Sequence, residues 1–489
     1  EYILSVKGAD AVQVAFVVTE TVPMDGERRY AAPTQITVDF NDNILLTTLE
    51  SSDLQVDAVP ASGVTVSDGD TAVFDVRFAY EYDGHYYALT SETTDWVSAE
   101  SEANAFGGHL VTINSQEEND FLERVLFSAS SSRHAYWIGL NDEAEEGTFV
   151  WSSGEAVTYT NWQTGEPNDF DPGEDYGAIN WHYGLGLDIV RGTWNDTPLN
   201  GARNGPYHGI IELDELPDEF ILASEGLHDV TIDGGAIKDV QGTPLETYGG
   251  TFHLDYTAPR VVSSSIQQGE VLTADLQDLS IEIAFSEPID TTEIDPFDVT
   301  WAGQLFGNFY TPTELVFNET KTQVTIRFTG LSVNEDEYRL TLFSGDFGFQ
   351  DHVGLDLDGE TPSWPIPANV SGDGLEGGDF VVDFVLDAGA RDIPAPLVPI
   401  NPLGSLVYTT SSPAQGAIVP DGDTDDWTID LDPGQTITVL LSPTCGLEGT
   451  VAIIAPDGST IATASGVASN DPVLLQTVAV ADAGIYTVR

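Results

Sequence analysis

Apolar and polar residues alternate in short runs along most of the chain. Residues 36–40 and 281–285, for example, place an apolar side chain at every second position, and Gly, Asp, Asn and Pro separate such runs. A period of two indicates strands with one buried face, and turn residues between the runs are typical of antiparallel sandwiches. Helical patterns are nearly absent outside residues 78–213. The pattern therefore predicts a mostly β chain, and 489 residues are too many for one hydrophobic core.

Two stretches of the chain echo each other. Residues 36–42 resemble residues 281–287, since each reads as a half-buried strand followed by an acidic turn, which indicates an internal repeat. Residues 251–259 end in Thr257-Ala258-Pro259 and resemble the end of a bacterial Ig-like domain. The strands before that ending are interrupted after Val76 and resume near Phe220. The predicted organisation is an Ig-like domain split into 30–77 and 214–257, an insertion at 78–213, and a second Ig-like domain at 258–389.

The C-terminal part has a different character. A proline-rich linker is predicted at 390–404, because proline favours an extended spacer. Residues 405–489 resemble an incomplete bacterial pre-peptidase C-terminal sandwich of the jelly-roll type, through the motifs at 422–427, 431–435, 455–458 and 483–488.

The first residues of the chain resemble the strands in which that sandwich ends. Residues 1–20 are therefore interpreted as terminal strands of a preceding or neighbouring pre-peptidase-like sandwich. Two explanations stay open: one period of a tandem array, or subunits that donate their first strands to the open edge of a neighbour. Either one predicts like subunits or adjacent repeats in a linear fibre.

Charge and cysteine content narrow the class of partner. The chain has 81 acidic and 15 basic residues, a net charge of -66, which repels nucleic acid and anionic lipid surfaces. Cys445 is the only cysteine, so no intrachain disulfide is expected and this side chain is predicted to be a small buried one. Without an apolar run of 18 residues, no membrane insertion is expected in this segment.

A succession of motifs runs through residues 86–196. They are Tyr86-Tyr87, Trp96-Val97-Ser98-Ala99, Gly107-Gly108-His109-Leu110, Ser115-Gln116-Glu117-Glu118, Trp137-Ile138-Gly139-Leu140-Asn141, Gly147-Thr148-Phe149-Val150-Trp151, Tyr159-Thr160-Asn161-Trp162, Glu166-Pro167-Asn168 and Trp194-Asn195-Asp196. Together they resemble the C-type lectin domain family over nearly its whole length. The resemblance implies an α+β fold with two helices, and Ser115 with Glu118 reads independently as the start of a helix. The three tryptophans at 137, 151 and 162 are interpreted as core residues.

The resemblance also implies a calcium site that binds sugar. Its ligands would be Glu166, Asn168, Glu174, Asn195 and Asp196, with a cis peptide bond between Glu166 and Pro167. Calcium takes six to eight oxygen ligands, and carboxylates mixed with amide carbonyls supply them without excessive repulsion. By the same resemblance, Glu-Pro-Asn goes with mannose-type sugars. Asp142, Glu146, Asp169 and Asp175 fall at the family's second, auxiliary calcium positions, so one or two ions are expected here and more at domain junctions.

The sequence departs from the family pattern in three places. Tyr176 stands where a half-cystine is usual, the other family cysteines are absent, and the stretch from 177 to 193 is long. Trp181, His182 and Tyr183 in that stretch either contact ligand at the rim or cover the core. One acidic turn contains Asp421, Asp423, Asp425 and Asp426. It is either a further calcium site or a solvated loop.

These patterns predict an extracellular, cell-surface adhesin of bacterial type that binds glycans in a calcium-dependent manner. The alternative is a structural filament or surface-layer subunit in which calcium is only structural. An enzyme is not expected, because the chain contains no nucleophile elbow, zinc-binding His-Glu-x-x-His or phosphate loop.

Overall fold

The computed structural model describes most of the chain. The described residues are 14–127, 134–170, 173–180, 191–202, 205–273, 278–305, 307–331, 333, 335–345, 347–360, 370–387, 389–400, 406–419 and 422–489. Strands make up 43% of the structure and helices 7%, so the prediction of a mostly β chain is confirmed. In these stretches no helix combines the length and the apolar character that crossing a membrane requires.

The structure divides into two compact units. Unit 1 comprises Glu1–Pro259, Gln350–Asp358 and Gly372–Gly378, and unit 2 comprises Arg260–Phe349, Gly359–Ser371 and Asp379–Arg489.

Unit 1 begins with short strands whose apolar residues alternate with polar ones. They are β1 (Val18–Val22), β2 (Glu27–Arg29), β3 (Gln35–Phe40), β4 (Leu54–Val56), β5 (Val59–Pro60), β6 (Gly63–Val66) and β7 (Thr71–Asp75), with 3-10 turns at Leu46–Thr48 and Ser51–Asp53. In β3, Ile36, Val38 and Phe40 are buried while the residues between them are only half-buried, as the period of two predicts.

The chain then enters an inserted module, defined here as residues 78–222. Its elements are β8 (Phe78–Tyr82), β9 (His85–Leu89), α1 (Trp96–Ala105), β10 (His109–Leu110), α2 (Gln116–Leu126), β11 (Tyr136–Asn141), β12 (Val150–Trp151), β13 (Tyr176–Ile179), β14 (Trp194–Thr197), β15 (His208–Leu213) and β16 (Ile221–Leu222). They form a sheet of order β14-β13-β11-β15-β9-β8-β16, in which β10 also pairs with β15 and β12 with β11. The α2 helix begins where the sequence predicted, with the Ser115 side chain accepting from the Glu118 N–H.

Two further strands close the first sandwich after the module. They are β17 (Gly226–Ile232) and β18 (Tyr248–Leu254). The sandwich then consists of sheets of order β1-β3-β7-β6 and β2-β18-β17-β4-β5. Its core continues into the inserted module, since Phe78 of β8 packs edge-on against Phe252 of β18 with ring centroids 6.1 Å apart. The module therefore extends the hydrophobic core of the sandwich and is not tethered by the chain alone.

Unit 2 contains a second sandwich, whose strands have the same order as those of the first sandwich. They are β19 (Val261–Ser264), β20 (Glu270–Thr273), β21 (Asp278–Phe285), β22 (Val299–Gly303), β23 (Phe309–Tyr310), β24 (Glu314–Phe317), β25 (Gln323–Thr329), β26 (Asp336–Leu342) and β27 (Phe380–Asp387), with a 3-10 turn at Pro296–Asp298. The sheets have the orders β19-β21-β25-β24 and β20-β27-β26-β22-β23. Trp301 of β22 joins them by packing against Phe328 of β25, with ring centroids 5.0 Å apart.

The two sandwiches share one topology. In chain order, the nine strands β1–β7, β17 and β18 of the first sandwich correspond to the nine strands β19–β27 of the second, and corresponding strands have the same neighbours in the sheets. The parallel pair β2·β18, for example, corresponds to the parallel pair β20·β27. The similar stretches 36–42 and 281–287 fall on the equivalent strands β3 and β21. The inserted module therefore occupies the connection that in the second sandwich is the short segment from Gly330 to Glu335.

The C-terminal sandwich completes unit 2. Its strands are β28 (Arg391–Asp392), β29 (Val398–Pro399), β30 (Tyr408–Thr409), β31 (Trp427–Leu431), β32 (Thr436–Leu441), β33 (Thr450–Ile454), β34 (Thr460–Ser465), β35 (Val473–Ala479) and β36 (Gly484–Val488). Sheets of order β28-β31-β36-β33-β34 and β32-β35 enclose one core that includes Ile453 and Tyr486, and β29 pairs with β30.

The structure differs from the sequence predictions at several points. Val18–Val22 pairs with β3 of the first sandwich, so residues 18–20 do not belong to a preceding sandwich, while residues 1–13 lie outside the described residues. Ile221–Leu222 pairs with β8 of the module, so the first sandwich resumes at β17 and not near Phe220. Alternation within one strand does not reveal its partner, which is why both assignments failed.

Two more differences concern residues that were assigned to the wrong surroundings. Gln350–Asp358 and Gly372–Gly378 belong to unit 1, although the sequence placed them in the second Ig-like domain. The Arg124 guanidinium holds the second of these segments by donating to the Gly374 carbonyl at 3.4 Å. Cys445 is exposed, not buried, because it lies in a turn with φ of 54° before β33.

Candidate functional site

One strand and one loop of the inserted module bring the predicted ligands together. The loop from Trp162 to Glu174 runs beside β14, with a parallel bridge between Trp162 and Trp194. The Gln163 N–H donates to the Trp194 carbonyl at 2.9 Å. On its other side β14 pairs with β13, with Asn195 opposite Ala178. The strand therefore presents Asn195 and Asp196 alongside the loop that contains Glu166 and Asn168.

Trp194 anchors this arrangement. The residue is fully buried, and its ring meets those of Trp151, Tyr159 and Trp162 edge-on, with centroids 5.6 to 5.9 Å apart. Its indole N–H donates to Asn119 Oδ1 at 2.8 Å, so the buried polar atom of the ring has a partner. The two residues that follow Trp194 are thereby held at one register.

The Asp196 carboxylate organises the loop. It accepts hydrogen bonds from the N–H groups of Asn168 at 3.0 Å and Asp169 at 2.8 Å. The Glu174 carboxylate acts in a similar way at the far end of the loop, because its Oε2 accepts from the Phe170 N–H at 2.9 Å. The Glu166–Pro167 peptide bond is cis.

Two oxygens at this site are buried without a hydrogen-bond donor. They are Glu166 Oε2 and Asn195 Oδ1. The Asn195 amide nitrogen donates to the Asp196 carbonyl, which leaves its oxygen directed elsewhere. Buried polar atoms are nearly always paired in folded proteins, and unpaired oxygens on a carboxylate and an amide are the ligands that calcium prefers. The chemistry of this donor set fits calcium.

The electrostatics of the loop point the same way. Burial, contact with the Asp196 carboxyl and the charge of Glu174 together raise the pKa of Glu166 to about 7, while a hydrogen bond from Asn168 opposes the shift. A carboxylate in such surroundings is costly to ionise unless a cation compensates it.

The four predicted auxiliary residues lie on the same side of the module. Asp142 is buried, its Oδ2 accepts from the Gly147 N–H at 2.7 Å, and its Oδ1 has no donor. Its backbone N–H donates to the Asp175 carbonyl at 3.0 Å. Burial and the charges of Asp175 and Asp196 raise the pKa of Asp142.

Glu146 and Asp169 complete this group. Glu146 is exposed, and its pKa is raised first by partial loss of water around the carboxyl group and then by the charges of Asp142, Asp169 and Asp175. The Asp169 carboxylate accepts from the Gly173 N–H at 3.1 Å. The residues are gathered, but in the described part of the chain no three carboxyl oxygens of this region lie within 4.8 Å of one another. Several of the carboxylates are bonded to backbone N–H groups of the loop instead.

The structure adds residues that the sequence did not single out. Thr197 follows Asp196 in β14, is fully buried, and has a hydroxyl without a partner. Asn119 on α2 holds the Trp194 indole. Tyr176 fills the place of the expected half-cystine by packing on Trp96 of α1, with ring centroids 5.0 Å apart. Trp181, His182 and Tyr183 lie outside the described residues, so neither of the roles predicted for them is tested.

Comparison with known proteins identifies the family. A family model for the lectin C-type domain matches residues 92–201. Lectin BRA-3 of Megabalanus rosa is 37% identical over 126 residues, which are 25% of this chain and 70% of that protein. The chain belongs to the C-type lectin family. The matched residues lie within the inserted module, which therefore contains the C-type lectin domain.

Other relatives and solved structures are also similar to part of this chain. The versican core protein of Rattus norvegicus is 37% identical over 123 residues, and the matched region covers only 4% of that protein. The mouse scavenger receptor C-type lectin carbohydrate-recognition domain is 26% identical, with 28% of this chain and 96% of that chain covered and a TM-score of 0.24. The C-type carbohydrate-recognition domain of cow CD23, solved in the presence of a GlcNAc2Man3 oligosaccharide, is 29% identical, covers 28% and 92%, and has a TM-score of 0.23.

We expect Trp194→Ala to disrupt β14, the strand that contains Asn195 and Asp196, more than it disrupts the rest of unit 1. Removing a fully buried tryptophan costs about 3–5 kcal/mol, and here it also leaves Asn119 without its donor. Hydrogen–deuterium exchange of the β13 and β14 amides should accelerate by more than about a hundredfold. Phe170→Ala, which removes an aromatic residue that is 77% exposed, should leave that exchange unchanged. Equal protection in the two variants would contradict the anchoring role.

We expect the thermal stability of the calcium-free protein to depend on the charge of Glu166. Its pKa of about 7 in the folded state lies above the ordinary value of 4.5. The folded state therefore holds the extra proton between these values, and stability falls as pH rises from about 4.5 to 7. Glu166→Gln, which is always neutral, should raise the melting temperature by on the order of 2 °C at pH 8 and leave it unchanged at pH 4. Glu145→Gln, on an exposed residue, is the matched control, and an equal effect of both variants would refute the shift.

Proposed function

We propose that the C-type lectin domain binds carbohydrate through one calcium ion held by Glu166, Asn168, Glu174, Asn195 and Asp196. The supporting observation is the pair of buried, unpaired oxygens, Glu166 Oε2 on the loop and Asn195 Oδ1 on β14. A calcium ion held by these residues would supply coordination positions for two neighbouring sugar hydroxyls.

The protein side chains supply the remaining contacts to the sugar. A carboxylate such as Glu166 accepts a hydrogen bond from a sugar hydroxyl, and an amide such as Asn168 donates one. The order of acid and amide around Pro167 then determines which arrangement of hydroxyls is satisfied. We propose mannose-type sugars, with equatorial 3- and 4-hydroxyls, because Glu-Pro-Asn stands here and not Gln-Pro-Asp.

The auxiliary residues have a supporting role in this proposal. Asp142, Glu146, Asp169 and Asp175 would hold a second calcium ion that stiffens the loop. The unpaired, buried Asp142 Oδ1 supports this part.

The rest of the chain is proposed to carry and display the lectin domain. Two sandwiches of one topology and a C-terminal sandwich, which we interpret as Ig-like and pre-peptidase-like domains, suit a stalk or a linear fibre of like subunits or repeats. The net charge of -66 disfavours nucleic acid as a partner. We therefore propose an extracellular, non-enzymatic adhesin at the cell surface, with glycans as its partners.

Calcium removal provides the first test. The intact chain should bind mannose-type glycans on a glycan array in 5–10 mM calcium, since extracellular calcium sites often have dissociation constants near 10⁻⁴ to 10⁻³ M. Binding should fall at least tenfold in chelator and return when calcium is restored. Binding should also weaken below about pH 7, where protons compete for Glu166. Glycan binding that persists unchanged in chelator would overturn the proposal.

A double substitution separates glycan recognition from a purely structural role. Glu166→Gln with Asn168→Asp exchanges the acid and the amide, so binding to mannose-type glycans should drop at least tenfold or shift to galactose-type ones while assembly stays intact. The matched control is Glu145→Gln with Asn200→Asp, which makes the same chemical changes at exposed positions of the domain. If the double substitution abolishes assembly and no glycan binds the unmodified chain, a structural filament subunit is the correct reading.

A further inference from the structure

A second group of acidic side chains lies within unit 2, far along the chain from the lectin domain. Glu335 directly precedes β26 and Asp387 ends β27, both in the second sandwich. Asp423 and Asp425 precede β31 of the C-terminal sandwich, and Arg391 lies on β28 beside that strand. We call Glu335, Asp387 and Asp423 the junction triad. The triad brings together the second sandwich and the C-terminal sandwich, and its first and last residues are 88 positions apart in the chain.

The triad has the spacing of a metal site. One carboxyl oxygen from each of its three residues lies within 4.8 Å of the others. Two oxygens that bind one calcium ion at 2.3–2.6 Å are at most about 5 Å apart, so the three oxygens can share an ion with little movement.

The buried member of the triad has an oxygen without a partner. Glu335 is 1% exposed, and its Oε2 accepts from the Arg391 guanidinium while Oε1 is buried and has no donor. Asp423 Oδ2 is likewise buried and unpaired. An unpaired, buried carboxylate oxygen is costly, and a second one beside it compounds the cost unless a cation lies between them.

The charged side chains around the triad do not compensate its negative charge. The triad and Asp425 supply four carboxyl groups, and among the described residues the one cation bonded to any of them is Arg391, through Glu335 and Asp425. Arg391 is already engaged, since it also donates to Asp425 Oδ1 at 2.7 Å and stacks on the Trp427 ring at 4.7 Å. Asp426 does not add to the group, because Arg489 binds it through two hydrogen bonds of 2.7 Å. The excess is therefore three negative charges, which a divalent cation reduces to one.

We propose that Glu335, Asp387 and Asp423 bind a divalent cation, of the calcium class, that fastens the second sandwich to the C-terminal sandwich. The triad offers only carboxylate oxygens, which favours a hard cation over zinc or copper. Calcium accepts irregular sets of six to eight oxygens, whereas magnesium requires a near-ideal octahedron. The ion then secures the connection between β25 and β26, which is the equivalent of the connection that carries the lectin domain in the first sandwich.

A shared proton is the competing occupant. Without a metal ion, burial and contact with the carboxyl groups of Asp425 and Asp423 raise the pKa of Glu335 to about 9, although the charge of Arg391 opposes the shift. A neutral Glu335 would hold the same geometry without a metal. The two occupants differ in their response to calcium and to an uncharged side chain at position 335.

The experiment compares variants of the full chain in which Glu166→Gln and Glu174→Gln have removed calcium binding by the lectin loop. Bound calcium is counted by equilibrium dialysis, and thermal unfolding is followed with and without calcium. Asp387→Asn and Asp423→Asn should each bind one ion fewer per chain and lose part of the calcium-induced rise in melting temperature. Asp430→Asn, an exposed residue of β31, is the matched control and should bind as many ions as its parent.

Two outcomes overturn the proposal. The first is an unchanged ion count in both Asn variants. The second is a Glu335→Gln variant that keeps the full ion count and melts at or above its parent without calcium, which would assign the site to a proton. If the Asn variants fail to fold, the second measurement is the emission of bound terbium that is sensitised by nearby aromatic residues. Trp427→Phe in the folded parent should lower this emission by at least about a third. No loss of emission refutes the site.

Discussion

The burial of Trp194 is the interaction on which the lectin site depends. The ring is enclosed by three other aromatic residues and tied to α2 through Asn119. A strand in which one large residue is fixed on all sides cannot slip by one position, because a slip would move every side chain to the opposite face. Asn195 and Asp196 are therefore placed beside the loop by packing, before any metal contributes.

The next level of organisation is the shared topology of the two sandwiches. The first sandwich accepts a domain of about 145 residues between β7 and β17, where the second has a short connection. Lengthening a connection costs little entropy when its ends are already close together. The contact of Phe78 with Phe252 and His228 then gives the inserted domain a core in common with its host. The inserted domain is therefore connected to its host sandwich by both of its chain ends and by shared core packing.

The negative charge of the chain favours the binding of metal ions at buried carboxylates. With 15 basic residues for 81 acidic ones, most carboxylates have no side-chain cation to pair with. Exposed carboxylates need none, because water solvates them. The buried Asp142 and Glu335 and the half-buried Glu166 are different, because each has a carboxylate oxygen that is shielded from water and lacks a donor. The cation sites proposed for the lectin loop and for the junction triad both lie where packing forces carboxylate oxygens out of water.

The sequence by itself determined the local features. The period of two located β3 and β21, the motif order identified the lectin domain, and the Ser115 cap located α2, since each depends on residues close together in the chain. The nine candidate ligand positions, which stay a prediction, could be named from spacing and resemblance. Only the tertiary structure decided which strands pair, that residues 18–20 join the first sandwich, and that β16 belongs to the module. It alone showed that Glu166 Oε2 and Asn195 Oδ1 lack donors and that Glu335, Asp387 and Asp423 meet. These are consequences of packing between distant segments, which no local pattern encodes.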